Sequence, residues 1–128
     1  MSAPEGFRHV YGPSWRHGSL EFYSRESPAT FWVRARGVIV PRLIRTDLEV
    51  AAAFGRGQPE GFDYVADIRE VWMIHPANLW LLRRVRDLPN LKSWSVIVGG
   101  WTGTMALRAI PRWARPDVVV TDPQDLEI

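Results

Sequence analysis

Three residues able to handle protons stand close together in the stretch VADIREVWMIHPANLWLL, residues 65–82: Asp67, Glu70 and His75. A carboxylate and an imidazole within hydrogen-bond reach can orient and move a proton. No candidate nucleophile sits beside them. Thr102 and Thr104, near the end of a later predicted strand, would have to complete a composite site. The plainer reading gives the same residues structural work. Asp67 and Arg69 would bond across a turn with Pro76, and His75 would cap or precede the helix that follows.

The remaining motifs point away from chemistry. VGGWTGT, residues 98–104, has glycines that let backbone N–H groups approach an anion. It lacks both GxxxxGK[ST] and GxGxxG, and no lysine follows, so a tight strand-to-helix connection is the simpler reading. His9, His17 and His75 are the only histidines and do not have metal-ligand spacing. No metal and no cofactor is expected. Arg83, Arg84 and Arg86 lie near Trp80 and Lys92, a combination that can meet phosphates and stack on bases. Asp87 interrupts that cluster, and nucleic acid is not the expected partner. Trp and Arg are favoured at the energetic centres of protein interfaces. Trp72, His75, Asn78, Trp80, Arg83, Arg84 and Trp101 are therefore the candidate protein-binding residues.

Composition sets the frame for these side chains. The chain has 128 residues, 46% of them hydrophobic, enough for one domain with a real core. Its net charge is +2, and Lys92 is the only lysine, so arginine carries nearly all the positive charge. A balance this small does not indicate a nucleic-acid binder. The absence of cysteine excludes a disulfide framework, a thiolate nucleophile and a cysteine-ligated zinc. The first residues, MSAPEGFRHVYG, lack the apolar core of a signal peptide, and no apolar run approaches a membrane span. A cytoplasmic protein is expected.

Stepping along the chain, residues 1–28 read as a lead-in arm, with one short edge strand at Leu20 to Tyr23. Residues 29–128 read as the domain proper. TFWVRARGVIV alternates like a half-buried strand, interrupted at Gly37. It is either one bent strand or a hairpin. PRLIRTDLEVAAAF carries Ile44, Leu48, Ala51 and Ala52 at helical spacing, opened by Pro41. FDYVADI predicts a strand over 62–68. HPANLWLLRRVRDL predicts a helix that buries Leu81, Leu82, Val85 and Leu88. WSVIV predicts a central strand, TGTMALRAIPRW a third helix, and Val118 to Val120 a fourth, buried strand. Alternation of strand and helix predicts an α/β domain with a mixed or parallel sheet of four to five strands and helices packed against it.

With the opening segment in the middle, this order resembles the STAS family, which includes the bacterial anti-sigma-factor antagonists and the SpoIIAA-like proteins. The antagonists' central segment, approximately Asp-Leu-Ser-x-Val-x-Phe-Ile-Asp-Ser-Ser-Gly-Leu, falls on Asp67 to Leu79 with its apolar positions matched. Gly37-Val38-Ile39 is similar to the family's Gly-Glu-Leu turn. The resemblance covers residues 30–123 or so. It implies a protein-interaction module, and it also locates a difference. The phosphorylatable serine of the antagonists falls on Ala77, which has no hydroxyl to modify. The acidic residue of that turn is His75, and the closing helix of the family is reduced to PQDLEI.

The expected function is thus a non-enzymatic STAS-like module for protein interaction or oligomerisation, not switched by serine phosphorylation at the family position. Its many tryptophans predict a homodimer. Two alternatives stand beside it: a binding module for a small apolar or lipid-like ligand, and a small enzyme using Asp67 and His75.

Overall fold

The computed structural model describes residues 6–75, 77–99, 112 and 115–126, with only the backbone of Tyr11 and Leu79. Among the described residues, six strands form one mixed sheet whose spatial order follows the chain. They are β1 (Arg8–Trp15), β2 (Gly18–Glu26), β3 (Ala29–Ile39), β4 (Phe62–Ile74), β5 (Leu91–Ile97) and β6 (Val118–Val120). Strands β1, β2 and β3 pair antiparallel, whereas β3 to β6 pair parallel. The helix α1 (Pro41–Arg56) links β3 to β4, and the short helix α2 (Asn78–Leu82) lies between β4 and β5. Because the parallel strands advance in one direction, right-handed connections place their helices on one face.

The N-terminal segment differs from its expected form. Residues 8–26 are not a lead-in arm with one short strand. They form a two-stranded hairpin that widens the sheet, so six strands are present where four to five were predicted. Pro13 and Gly12, which read as breakers, are accommodated by a register shift between Tyr11 and Ser14.

β3 is one continuous strand, and it is buried on both faces rather than half-buried. Phe31, Val33 and Ala35 pack under the helices, while Trp32 and Arg34 point to the opposite face. At Gly37 the pairing with β4 shifts register, and the backbone takes φ 76°. A Cβ there would come within 2.0 Å of the His17 carbonyl oxygen, so this bulge requires glycine.

The helix-side core is built from rings. Phe31 lies 5.6 Å from Phe22, 5.8 Å from Phe54 and 6.0 Å from Tyr64, measured between ring centroids. Phe54 in turn meets Phe62 edge-on at 5.5 Å. α1 contributes Leu43, Leu48 and Ala51, which share its buried face with Asp47. α2 is shorter than the predicted helix and tightens at once into a 3-10 turn, Arg83–Val85. The tightening keeps Leu81, Val85 and Leu88 all buried. β6 is an edge strand, and this exposes Val118 and Val119, which were expected inside.

Phe62 is fully buried at the start of β4 and touches α1 through Phe54. Phe62→Ala should cost about 3–5 kcal/mol, seen as a lower urea midpoint with an unchanged slope.

Candidate functional site

The proposed reactive pair does not form. β4 does not end near Ile68 but runs to Ile74, because β3 continues to pair with it through Arg36↔Glu70, Gly37↔Val71, Val38↔Met73 and Ile39↔Ile74. Asp67 therefore sits in mid-strand and not in a turn, and so does Arg69. His75 lies beyond the strand end. At about 3.3 Å per residue, Asp67 and His75 are separated by about 25 Å along the strand. Thr102, Thr104, Trp101 and Pro76 lie outside the described residues.

Asp67 belongs instead to an ionic network on the sheet face opposite the helices. It is 2% exposed and stands directly opposite Arg34, itself 3% exposed, in the β3–β4 register. Arg34 Nε lies 3.7 Å from Asp67 Oδ2. Arg69 closes a two-pronged contact on the same carboxylate, Nε to Oδ1 at 2.9 Å and Nη2 to Oδ2 at 2.7 Å. That bond holds the Arg69 guanidinium above its ordinary pKa. From Arg34 the network continues to β2: Nη1 donates to Tyr23 Oη at 3.3 Å, and the Tyr23 hydroxyl donates to Glu21 Oε2 at 2.7 Å. The Tyr23 bond, with Arg36, His9 and Arg34 nearby, draws the Glu21 carboxyl below its usual value against the effect of burial. Burial, then the Glu21 bond, pushes the Tyr23 hydroxyl up. Arg36 bridges Glu70 at 2.6 Å and Glu21 at 3.4 Å. These charges are paired with one another, and the network ties β2, β3 and β4 together.

Around the start of α2 the roles divide. The backbone N–H of Ala77 donates to His75 Nδ1 at 3.1 Å, so the imidazole closes the turn into the helix. Asn78 is fully buried and cannot be a contact residue of an exposed surface. Its Nδ2 donates to the Ile39 carbonyl at 2.8 Å, fastening α2 to the end of β3. Ala77 is exposed at the N-terminal boundary of α2. Trp72 is 74% exposed and Trp80 68% exposed, with Met73 half in solvent between them in sequence. Arg83 stacks over the Trp80 ring at 5.8 Å, and Arg84 is exposed.

A feature missed in the sequence lies on the helix side of the sheet. A cavity of about 70 Å³ opens between sheet and helices. Its wall is almost wholly apolar and includes Val33, Ile39, Ile44, Leu82 and Val96, together with Asp47 and Tyr64. Asp47, on α1, is 3% exposed and accepts a hydrogen bond from the Tyr64 hydroxyl on its Oδ2. Its Oδ1 has no hydrogen-bond partner among the described residues. Burial pushes the carboxyl up to about 7, with the Tyr64 bond acting against it. The spacing of Asp47 four residues from both Leu43 and Ala51 was the available signal that it shares the buried face.

With this geometry in view, the likeness to known structures can be stated. An uncharacterized protein from the DUF3478 family of Shewanella loihica PV-4, solved by crystallography with a SpoIIAA-like fold, matches with a TM-score of 0.53. The match covers 98% of this chain and 94% of that one, at 14% sequence identity. The fold is SpoIIAA-like. No protein-family model matches the chain, and neither does any curated protein. The SpoIIAA-like fold accounts for the mixed sheet with helices packed against it. Among the described residues, no helix is long and apolar enough to cross a membrane. Nor do three or more acidic, histidine or cysteine side chains gather among them as a metal would require.

Two measurements check these assignments. Asp67→Ala leaves the Arg34 charge buried without its partner and should cost about 3–5 kcal/mol in chemical denaturation. Asp47 gives a pH signature. Its folded pKa of about 7 lies above the ordinary 3.8, so between those values the folded chain holds a proton that the unfolded chain has lost. Its stabilising contribution is complete below about pH 4 and disappears as the pH rises through 7, a change on the order of 4 kcal/mol. Melting temperatures of wild type should fall across that window, and Asp47→Asn should flatten the fall.

Proposed function

We propose that this chain is a non-enzymatic SpoIIAA-like module that docks onto protein surfaces, in the first instance onto a second copy of itself. The observation that carries this reading is the exposure of Trp72 and Trp80 in one stretch of chain, with Met73 beside them. Large apolar side chains held in water at the end of β4 and on α2 offer buried area to a partner. Arg83 and Arg84 supply the polar rim of such a contact. Arg84 shares a surface groove with Arg45, Arg56, Glu49 and Asp87. The mixed signs favour a protein partner over a nucleic-acid backbone, which rewards a positive stripe. By the STAS resemblance the antagonists' phosphorylatable serine falls on Ala77, and with no hydroxyl there the proposed contact is constitutive at that position. The separation of Asp67 from His75 supports binding rather than catalysis. A cytoplasmic setting is part of the same proposal.

Light scattering on the purified chain should give a dimer at high concentration. Trp72→Ala and Trp80→Ala should each weaken it at least about tenfold, equivalent to about 1.4 kcal/mol. A monomer throughout would overturn self-association. Affinity capture from the native cell, repeated with Trp80→Ala, then asks whether a different protein occupies the same surface.

A second reading is favoured by the cavity between sheet and helices: binding of a small, largely apolar ligand. Its size suits a compact molecule and not a long acyl chain.

A further inference from the structure

The cavity beneath α1 is lined by two buried polar atoms without hydrogen-bond partners among the described residues, Asp47 Oδ1 and Trp94 Nε1. Asp47 is nearly completely buried, faces the void, and leaves Oδ1 without a hydrogen-bond partner among the described residues. A buried acceptor left unpaired is destabilising, so an occupant that supplies a donor gains what the empty site forfeits. Tyr64 is the polar neighbour within the wall, and its hydroxyl hydrogen is already given to Asp47 Oδ2. Trp94, also in the lining, carries a buried Nε1–H that has no hydrogen-bond partner among the described residues and is not bonded to Oδ1.

We propose that this cavity binds a small neutral molecule with a short apolar body and one hydroxyl, which donates to Asp47 Oδ1 while the body fills the space between Val33, Ile44, Leu82 and Val96. The inference rests on the ligand reading given above and names the chemistry that this reading leaves open. Four considerations select the class. A single water finds polar partners only at Asp47 Oδ1, Trp94 Nε1 and Tyr64, and it leaves most of a cavity of about 70 Å³ with apolar walls unfilled. An ammonium brings three donors and a full charge to a place with one free acceptor, leaving two N–H groups unmet in an apolar wall. A carboxylate or phosphate would set like charge against Asp47. A hydroxyl suits both protonation states of Asp47, because it can donate to the carboxylate or accept from the acid. Size narrows the class further. If a water needs about 10–15 Å³ of such volume, a cavity of about 70 Å³ holds roughly five to seven non-hydrogen atoms.

1-Butanol and 1-chlorobutane share one chain and differ in the donor, which makes them the test pair. Both are titrated into the wild-type chain and into Asp47→Leu, with amide resonances followed by NMR. The ratio of butanol to chlorobutane affinity should fall at least about tenfold in the variant, and butanol alone should move the Asp47 carboxyl carbon resonance in wild type. The carboxyl resonance decides the matter by itself where the leucine variant fails to fold. Entry of both molecules with an unchanged ratio, or a still carboxyl resonance at saturating butanol, overturns the hydroxyl assignment while leaving the ligand reading in place. Entry of neither overturns both.

Discussion

The parallel pairing of β3 with β4 governs this fold, and within it the placement of Arg34 opposite Asp67. Two opposite charges, each almost sealed from water, cannot be accommodated in any register that separates them. A slip of one residue would turn Asp67 toward the helices and Ala66 toward Arg34, leaving both charges buried and unpaired. The pair therefore selects a register more than it adds net stability, since removing two charges from water offsets most of their attraction. Arg69 and Tyr23 add hydrogen bonds to that pair, and Glu21 carries its effect along β2, while Arg34 Nε itself has no hydrogen-bond partner among the described residues.

The two faces of the sheet solve different problems. The helix face is a packing solution, with aromatic rings of four elements in mutual contact and the methyl-rich side of α1 laid over them. The opposite face is a charge-pairing solution, with Trp32, Val65 and Ile97 as apolar filler between ionic groups and Phe7 packed edge-on to Trp32. Asp47 is out of character on its own face: a carboxylate among hydrocarbon, bonded on one side only. Its raised pKa and its unmet oxygen have one cause, which is burial without enough donors.

Much of the architecture was legible in the sequence. The α1 pattern from Pro41 and the apolar run at Trp94 each rest on local periodicity, and each is present, whereas the third helix expected in TGTMALRAIPRW lies almost wholly outside the described residues. The failures are equally physical. Residues 8–26 look like an arm because Gly12, Pro13 and Gly18 interrupt every short window, yet pairing with the well-formed β3 overrides weak local preference. β4 was cut short because Arg69 and Glu70 break its apolar run, and their charges are satisfied by neighbours in the sheet that no linear reading reveals. The same blindness created the apparent Asp67–His75 pair, since closeness in sequence becomes distance along an extended strand. Asn78 looked like a surface residue by type and is a buried tie between α2 and β3. Trp72 and Trp80 were marked by residue type alone, and their exposure is a property of the folded chain.

The outer borders of the sheet have a consequence for how this protein behaves at high concentration. One border is β1, whose ladder is broken between Tyr11 and Ser14 around Pro13. The other is β6, only three residues long. A proline lacks the amide hydrogen that an incoming strand would need, and a three-residue border has too few bonds to hold one. Among the described residues, neither border is a good seed for end-to-end sheet growth, and the shape of these margins works against fibril-like stacking of a chain rich in valine and tryptophan.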